Sequence, residues 1–235
     1  MIPMEPGKMA DTEPTYAIRK AVETPGLDGA WDSPAWAHAD MLEIAHFFPQ
    51  GSDHRPVTRA KLLYDTERIY VMFRVEDRYV RCLADRYQGA VYQDACVEFF
   101  VRPRADKGYF NFEMNCGGTL LLRNVTDPTR IGKELAEYRN VPWEQASQIR
   151  VFHSMPKVVE PEIEEAVVWT VEYSVPFSLF EAYVGPLGEL SGQEWRANFY
   201  KCAENNSHPH FATWAPIRGA CNFHQPQFFA PIRFE

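Results

Sequence analysis

The stretch Tyr92-Gln93-Asp94-Ala95-Cys96-Val97-Glu98-Phe99-Phe100-Val101 decides the fold, because valine and phenylalanine favour strands and a single acid interrupts their run. Successive side chains of a strand point to opposite faces. One face then carries Ala95, Val97, Phe99 and Val101, and the other carries Cys96, Glu98 and Phe100. The stretch therefore predicts a strand with one apolar face. Its carboxyl group is either a solvated outer residue or part of a recognition surface beside Tyr92.

Similar stretches recur along the chain, and short connections join several of them. Residues 65–68 have the length of a hairpin connection, and residues 115–118 provide another. Many short strands joined by turns are typical of an all-β fold, here an antiparallel β-sandwich of jelly-roll or immunoglobulin-like architecture. The predicted strands are residues 60–64, 69–75, 95–101, 109–115, 119–123, 149–155, 167–174, 195–202 and 228–234.

Helical signals are confined to two segments. Residues 175–180 predict one short helix or turn with Pro176 at its first position, and residues 130–143 predict a charged surface loop with a helical turn. Neither a repeat nor a proline-rich linker divides the 235 residues. We therefore expect a flexible N-terminal arm over residues 1–19 and a single β-sandwich domain over residues 20–235.

Composition narrows the classes of partner. The formal net charge is −8 and no block is rich in lysine or arginine, so neither nucleic acid nor an anionic membrane surface is an expected partner. No apolar run approaches the ~18 residues of a membrane helix, and residues 1–15 lack the apolar core of a signal peptide. The compartment stays open between secretion, if a signal was removed, and the cytoplasm. A neutral ligand and a monomeric chain are the simplest expectation.

Cysteines and most tryptophans fit a structural role. The five cysteines contain no CxxC pair, and their spacing gives no disulfide framework. Cys96 and Cys202 lie in strand-like runs, which indicates buried free thiols. Four tryptophans lie within or against apolar patterns and are expected in the core: Trp31, Trp36, Trp169 and Trp195.

Polar side chains alternate with apolar ones in three of the predicted strands, residues 95–101, 109–115 and 195–202. If these strands are neighbours, one sheet face displays Glu98, Asn111, Glu113, Asn115, Arg196 and Asn198. Amides, carboxylates and guanidinium groups form paired hydrogen bonds with vicinal hydroxyls, as sugars offer. Aromatic rings in or near loops could stack on the apolar face of a sugar, and the candidates are Tyr92, Trp143, Trp214 and Phe223. An ordinary solvated sheet face fits the same pattern.

Four pieces of sequence resemble family 9 carbohydrate-binding modules and their DOMON-like relatives, and they occur in the same order. The pieces are residues 27–36 (LDGAWDSPAW), the hairpin of residues 60–77, the strand QDACVEFF at residues 93–100, and the ending of residues 214–229. The resemblance covers about residues 20–235. It implies a β-sandwich that binds sugars, in well-described members at the reducing end of xylan or cellulose chains, between two aromatic rings.

The resemblance also implies particular binding residues. Glu98 matches a hydroxyl-binding glutamate of the family, Asn115 matches a binding asparagine, and Phe223 falls where one clamping tryptophan is found. Tyr92 is one residue nearer the strand than the second tryptophan, and Glu113 stands where the family has an arginine. The predicted site combines these with the polar face: Tyr92, Glu98, Glu113, Asn115, Arg196, Asn198 and Phe223. No cofactor is expected beyond the structural calcium that the family often carries, and no Asp/Asn-rich loop identifies its ligands.

Two alternatives use other chemistry. Glu98 and Glu113 on adjacent strands could form the carboxylate pair of a glycan-active enzyme. A haem-binding electron-transfer domain of the DOMON type would need Met72, Met114 or His153 as ligands, but their spacing is unsuitable and no CxxCH motif is present.

Histidines suggest a further metal site at His208, His210 and His224, although Pro209 makes exposed loop histidines the expected arrangement. The chain contains neither a nucleophile-elbow G-x-S-x-G nor a glycine-rich phosphate loop, so hydrolase and nucleotide-binding functions have no support.

Overall fold

A computed structural model describes residues 13–132 and 134–235 of the chain. In these residues the chain forms sixteen strands and two short α-helices, and it makes three 3-10 turns at Pro34–Trp36, Val91–Gln93 and Pro226–Phe228. The helices are α1 (Trp143–Ala146) and α2 (Phe177–Val184). The strands are β1 (Tyr16–Lys20), β2 (Met41–Glu43), β3 (His46–Phe47), β4 (Val57–Tyr64), β5 (Arg68–Asp77), β6 (Val80–Cys82), β7 (Cys96–Arg102), β8 (Tyr109–Asn115), β9 (Leu120–Ile131), β10 (Glu134–Asn140), β11 (Arg150–His153), β12 (Val159–Ile163), β13 (Val167–Pro176), β14 (Glu194–Ala203), β15 (His210–Thr213) and β16 (Ala230–Phe234).

The strands form two layers, which confirms the predicted β-sandwich. The first layer follows the order β10-β9-β8-β7-β14-β16-β1, and the second follows β1-β4-β5-β13-β11. Strand β1 belongs to both layers because it pairs in parallel with β16 on one side and with β4 on the other. Its two parallel pairings depart from the antiparallel expectation, whereas the β4–β5, β5–β13 and β7–β8 ladders are antiparallel.

The core lies between the two layers and contains the apolar faces that the alternation predicts. Phe99 stacks between two rings of its own layer, with ring centroids 6.1 Å from Phe112 and 4.9 Å from Phe199. Phe199 and Phe112 in turn meet the opposite layer, at 6.2 Å from Phe73 and 6.3 Å from Tyr173. Burying several such rings is the main favourable contribution to the sandwich, since each removes a large apolar area from water.

The polar face of the first layer is buried, so the expectation of a solvated sheet face is wrong. Glu98 is 2% exposed and Glu113 is 4% exposed. Two segments cover this face, one around the turn at Val91–Gln93 and the other over residues 217–229. Side chains from these segments pack on two small clusters on the outer side of β7, β14 and β9. The layer therefore has a second, partly polar interior.

Several predictions about individual elements need correction. The arm proposed for residues 1–19 is wrong for residues 16–19, which belong to β1, while residues 1–12 lie outside the described part of the chain. Residues 130–143 contain strand β10 rather than a loop, and only the start of α1. The predicted helix at residue 175 begins at Phe177, with Pro176 as its N-cap. Each of the nine predicted strands overlaps an observed strand, whereas the short strands β2, β3, β6, β12 and β15 escaped prediction.

Within residues 13–132 and 134–235, no helix is both long and apolar enough to cross a membrane. Cys96 and Cys202 are buried free thiols, as predicted. Trp36, Trp169 and Trp195 are fully buried, also as predicted, but Trp31 is only partly buried and packs against a small outer cluster.

Candidate functional site

A cavity of about 650 Å³ opens over the outer face of the first layer. Its floor is a row of cross-strand neighbours, because Glu98 of β7 lies opposite Tyr200 of β14 and Glu113 of β8, and Glu113 lies opposite Leu121 of β9. Its wall and rim come from loops and strand ends. The lining residues are Gln50, Tyr92, Gln93, Glu98, Glu113, Leu121, Arg123, Arg130, Glu134, Cys202, Glu204, Phe211, Cys221, Asn222, Phe223 and His224.

The two candidate clamping residues, Tyr92 and Phe223, both line this cavity. Tyr92 comes from the 3-10 turn that precedes β7, and Phe223 comes from the segment that precedes β16. Phe223 lies parallel to Tyr200, with ring centroids 4.2 Å apart and an interplanar angle of 14°. Both Tyr92 and Phe223 also pack against the cluster around Leu121. The two predicted clamping residues are therefore at one cavity.

The carboxyl group of Glu98 lies in the floor and has little contact with water. Cys202 Sγ donates a hydrogen bond to Glu98 Oε1 at 3.2 Å. Burial raises the pKa of Glu98 well above its usual value, and the neighbouring Cys202 and Glu113 raise it further because each would add negative charge. Glu98 thus favours the protonated form, in which it donates one hydrogen bond and accepts others.

Glu113 supplies the second carboxyl group of the floor, and its ionised form is better stabilised by its neighbours than that of Glu98. Asn111 Nδ2 donates to Glu113 Oε1 at 2.7 Å. Burial raises the pKa of Glu113 to about 7, although the Asn111 hydrogen bond and the charges of Arg123 and Arg130 oppose the shift. Because Glu98 and Glu113 are direct cross-strand neighbours, two negative charges on this floor would repel each other.

The rim carries charges of both signs. Arg123 lies over the ring of Tyr138, with its guanidinium carbon 4.3 Å from the ring centroid, and its buried Nε has no hydrogen-bond partner among the described residues. Burial raises the pKa of Glu204, and Arg130 opposes that shift. The site therefore offers hydrogen-bond donors and acceptors around an apolar wall.

His224 also lines the cavity and is held neutral. Tyr109 Oη and His224 Nδ1 are 2.6 Å apart. Burial lowers the pKa of His224 to about 3, and the nearby Arg130 and Arg123 lower it further. A neutral imidazole can accept a hydrogen bond from the Tyr109 hydroxyl at Nδ1, and its Nε2–H is then free to donate.

Asn115, one of the predicted binding residues, does not line the cavity. Its Nδ2 donates to Ala84 O and to Asp94 Oδ2, both at 2.8 Å. Its Oδ1 accepts from the backbone N–H of Thr119 at 2.9 Å. All these bonds are internal, so Asn115 fixes the loop beside Tyr92 and closes the β8–β9 hairpin.

Arg196 and Asn198 are likewise outside the cavity. Asn198 Oδ1 accepts from Ala215 N at 2.9 Å, and its Nδ2 donates to Ala215 O at 3.0 Å. Arg196 Nη1 donates to Glu13 Oε1 at 2.5 Å and to Phe229 O at 3.2 Å, so it forms no ion pair with Glu98. Both share the outer face of β14 with Cys202, but four to six residues along a strand amount to roughly 13–20 Å.

The other aromatic candidates are elsewhere. Trp214 is buried in the main core, 5.5 Å from Phe199 between ring centroids. Trp143 is exposed at the start of α1 and contacts Tyr87 at 5.3 Å. Neither lines the cavity.

Most of the remaining lining residues were not foreseen. Leu121 and Arg123 follow the same alternation as the predicted floor, so extending that pattern into β9 would have placed them there. Glu204, Asn222 and Cys221 come from loops, where no periodicity indicates which side chains meet.

The proposed histidine site is not assembled. His208 and His210 lie near His54, with ring centroids 6.5 Å and 5.1 Å away, whereas His224 lies at the cavity. His210 is buried at the start of β15, which corrects the expectation of an exposed loop residue, and its Nε2 lies 2.8 Å from Lys201 Nζ.

The candidate haem ligands also lie in different parts of the structure. Met72 packs in a small outer cluster with Trp36, Met114 lies in the main core, and His153 Nδ1 lies 2.7 Å from Met155 O.

The closely spaced group of His, Cys or acidic ligand atoms in the described residues does not suit calcium. In the part of the chain that the structure describes, the one group of at least three closely spaced His, Cys or acidic ligand atoms consists of Cys96, Glu98 and Cys202. Calcium takes six to eight oxygen ligands, so two thiols and one carboxyl group are unsuitable. No calcium ligands are assigned.

A family model described as carbohydrate-binding family 9 matches residues 36–234. The chain belongs to this family. Carbohydrate binding is therefore its function, and the comparisons give no support to the glycan-active or haem-binding alternatives. A comparison with proteins of curated function gave no match.

Solved structures of family 9 and related proteins share the fold of this family 9 chain. A candidate carbohydrate-binding protein from Bacteroides uniformis ATCC 8492 is 26% identical, with a TM-score of 0.81 over 95% of this chain and 100% of that chain. A family 9 module from Caldicellulosiruptor kristjanssonii in complex with cellotriose is 13% identical, with a TM-score of 0.63 over 94% of each chain. A complex of a family 9 module from that organism with glucose gives 13% identity and a TM-score of 0.61, over 93% of this chain and 95% of the other.

Proposed function

We propose that the cavity between Tyr92 and Phe223 is the carbohydrate site, and that it holds the end of a cellulose- or xylan-type oligosaccharide without altering it. The observation that carries this proposal is the meeting of two aromatic side chains, buried carboxyl groups and two arginines at one cavity of a family 9 fold. The volume of about 650 Å³ falls within the range of roughly 300–1,000 Å³ for small-molecule sites.

The chemistry of the lining suits sugar hydroxyls, which both donate and accept hydrogen bonds. Protonated Glu98 can do the same, and Glu113 supplies a stronger acceptor when ionised. The unpartnered Nε of Arg123 is a donor that a bound hydroxyl would satisfy. The rings of Tyr92 and Phe223 supply apolar surfaces for the C–H faces of a pyranose.

Cellotriose and glucose in complexes of a fold relative favour a glucose-containing chain among the possible ligands. We infer recognition of a chain end because the resemblance to family 9 modules implies binding at the reducing end of cellulose or xylan chains.

Binding without catalysis is the better assignment for the two floor carboxyls. Glycoside cleavage with retention requires one protonated carboxyl group and one carboxylate about 5–5.5 Å apart. Glu98 and Glu113 are close enough as cross-strand neighbours, but burial raises the pKa of both. Below about pH 7 the nucleophile would be largely protonated.

Affinity electrophoresis and isothermal titration against cello- and xylo-oligosaccharides test the proposal. We expect binding by the wild-type chain, weakened binding by Tyr92→Ala, and unchanged binding by the control Trp143→Ala, since Trp143 is exposed but distant from the cavity lining. Binding that survives Tyr92→Ala and Phe223→Leu together would place the site elsewhere. Reducing-sugar release by the wild type that disappears in Glu98→Gln would assign catalysis instead.

A further inference from the structure

The floor of the cavity contains a group of thiol and carboxyl side chains that sugar binding does not require. Cys96 on β7 lies directly opposite Cys202 on β14, and Glu98 follows two residues later on the same face of β7. Strand alternation therefore points all three side chains to the outer side of the layer. Their ligand atoms all lie within 4.8 Å of one another, and all three residues are buried.

We propose that Cys96, Glu98 and Cys202 form a binding site for a thiophilic divalent metal ion of the Zn²⁺ class. The donor set decides the class, since thiolates prefer zinc and softer ions, whereas calcium and magnesium take oxygen ligands. Three protein ligands leave a fourth tetrahedral position, as in zinc sites that bind water or a small ligand. Glu98 and Cys202 line the cavity, so this fourth position faces it.

The spacing suits a metal without rebuilding the strands. Zn–S bonds of about 2.3 Å place two sulfurs of a tetrahedral site about 3.8 Å apart. All three separations are at most 4.8 Å, so side-chain movements of about 1 Å or less bring the sulfurs to that distance. The backbone positions are fixed by the β7–β14 ladder, which pairs the two cysteines directly.

The protonated groups explain how the site is stable without the ion. Burial raises the pKa of the Cys96 thiol to about 12, and the pKa of Cys202 is also raised by its hydrogen bond with Cys96 and by burial. Three neutral side chains then occupy the floor without uncompensated charge. A divalent cation displaces their protons and leaves one net negative charge on the complex, so binding should strengthen as pH rises.

Metal titration of the reduced, chelator-treated full chain tests this proposal. We expect one Zn²⁺ per chain by elemental analysis, and a thiolate-to-metal absorption band with Co²⁺. Cys96→Ser and Cys202→Ser should each weaken zinc binding by more than the roughly 10–100-fold that follows loss of an outer-shell partner. The control is Cys221→Ser, because Cys221 lines the same cavity but is outside the trio, and its zinc affinity should equal that of the wild type.

If a cysteine variant fails to fold, the decisive measurement is alkylation of the wild type with and without zinc. Zinc should protect Cys96 and Cys202 from alkylation and leave Cys221 reactive. Absence of a cobalt–thiolate band in the reduced wild type overturns the proposal, as does zinc binding by Cys96→Ser and Cys202→Ser with the affinity of the wild type. The proposal is also overturned if Cys96 and Cys202 form a disulfide and the chain binds no zinc after that disulfide is reduced. Glycan binding by the chelator-treated chain is measured separately, so the proposed carbohydrate site can survive failure of the metal site.

Discussion

Replacing Phe223 by leucine separates the ring's contribution to sugar binding from its contribution to folding. Phe223 is half-buried, stacks on Tyr200 at 4.2 Å and contacts Phe211 at 6.4 Å between ring centroids. Leucine keeps most of the apolar contact with Tyr200 but offers no flat face to a sugar. Stacking contributes about 0.5–1.5 kcal/mol beyond buried area, so the Kd for the oligosaccharide should rise about 2- to 13-fold.

The same substitution should have a modest effect on stability. Apolar replacements of similar volume usually cost less than about 1.5 kcal/mol, and for a chain of this size each kcal/mol lowers Tm by about 2–4 °C. A matched control is Phe47→Leu, because Phe47 is also partly buried against apolar neighbours but does not line the cavity. It should lower Tm by a similar amount and leave the affinity unchanged. Isothermal titration and calorimetric melts measure both quantities.

Phe223→Trp provides the opposite perturbation, since indole presents a larger face than a phenyl ring. It should hold or improve the affinity. Phe223→Leu could lose as much stability as Phe47→Leu and still bind the oligosaccharide with wild-type affinity. That result would show that the Phe223 ring only packs on Tyr200, and it would refute the hypothesis that this ring stacks on the sugar.

Three further predictions concern buried polar groups. Lys201→Met should lower the free energy of unfolding by about 3–5 kcal/mol in denaturant titrations, because Lys201 Nζ lies 3.4 Å from Asp77 Oδ2 and its loss leaves that buried carboxylate with hydrogen bonds from His54 and Trp169 but without the lysine charge. The double variant Lys201→Met with Asp77→Asn should recover part of the loss. Glu113 has its pKa raised to about 7, so its stabilisation is complete below about pH 4.5 and declines as pH rises through 7; thermal melts of Glu113→Gln should show a flatter pH dependence in that window. Glu98→Ala should lose more glycan affinity than Glu98→Gln, which retains a neutral donor and acceptor; unchanged affinity of both variants in titration would remove Glu98 from the site.

The strand pattern was predictable because it depends on local alternation. Residues 95–101, 109–115 and 195–202 lie in the strands assigned to them, and their apolar faces enter the core. The same alternation correctly separated Glu98 and Glu113 from that core. Short strands such as β3 and β15 were missed because they carry no clear period.

The burial of the polar face could not be derived in the same way. It depends on residues 217–229 folding back over β7 and β14, a contact between distant parts of the chain that no local pattern encodes. Alternation also indicates which face of a strand a side chain occupies, but it does not indicate how far along the strand that side chain lies from the site. For this reason Arg196 was assigned to the site although it lies at the far end of β14, where it bonds Glu13.

Burial of the acids has a consequence for the choice of ligand. An ionised carboxylate only accepts hydrogen bonds, whereas a protonated carboxyl group donates one and accepts others, as a sugar hydroxyl does. In this cavity burial raises the pKa of Glu98 well above its usual value and raises the pKa of Glu113 to about 7. An anionic sugar would have to approach two acids that lose their protons as pH rises, and only the rim arginines would favour it. A neutral sugar meets no such penalty, and its hydroxyls can pair with the acids in either protonation state. We therefore expect neutral glycans to bind better than anionic ones, because the covering segment removes the water that would otherwise stabilise the charged acids.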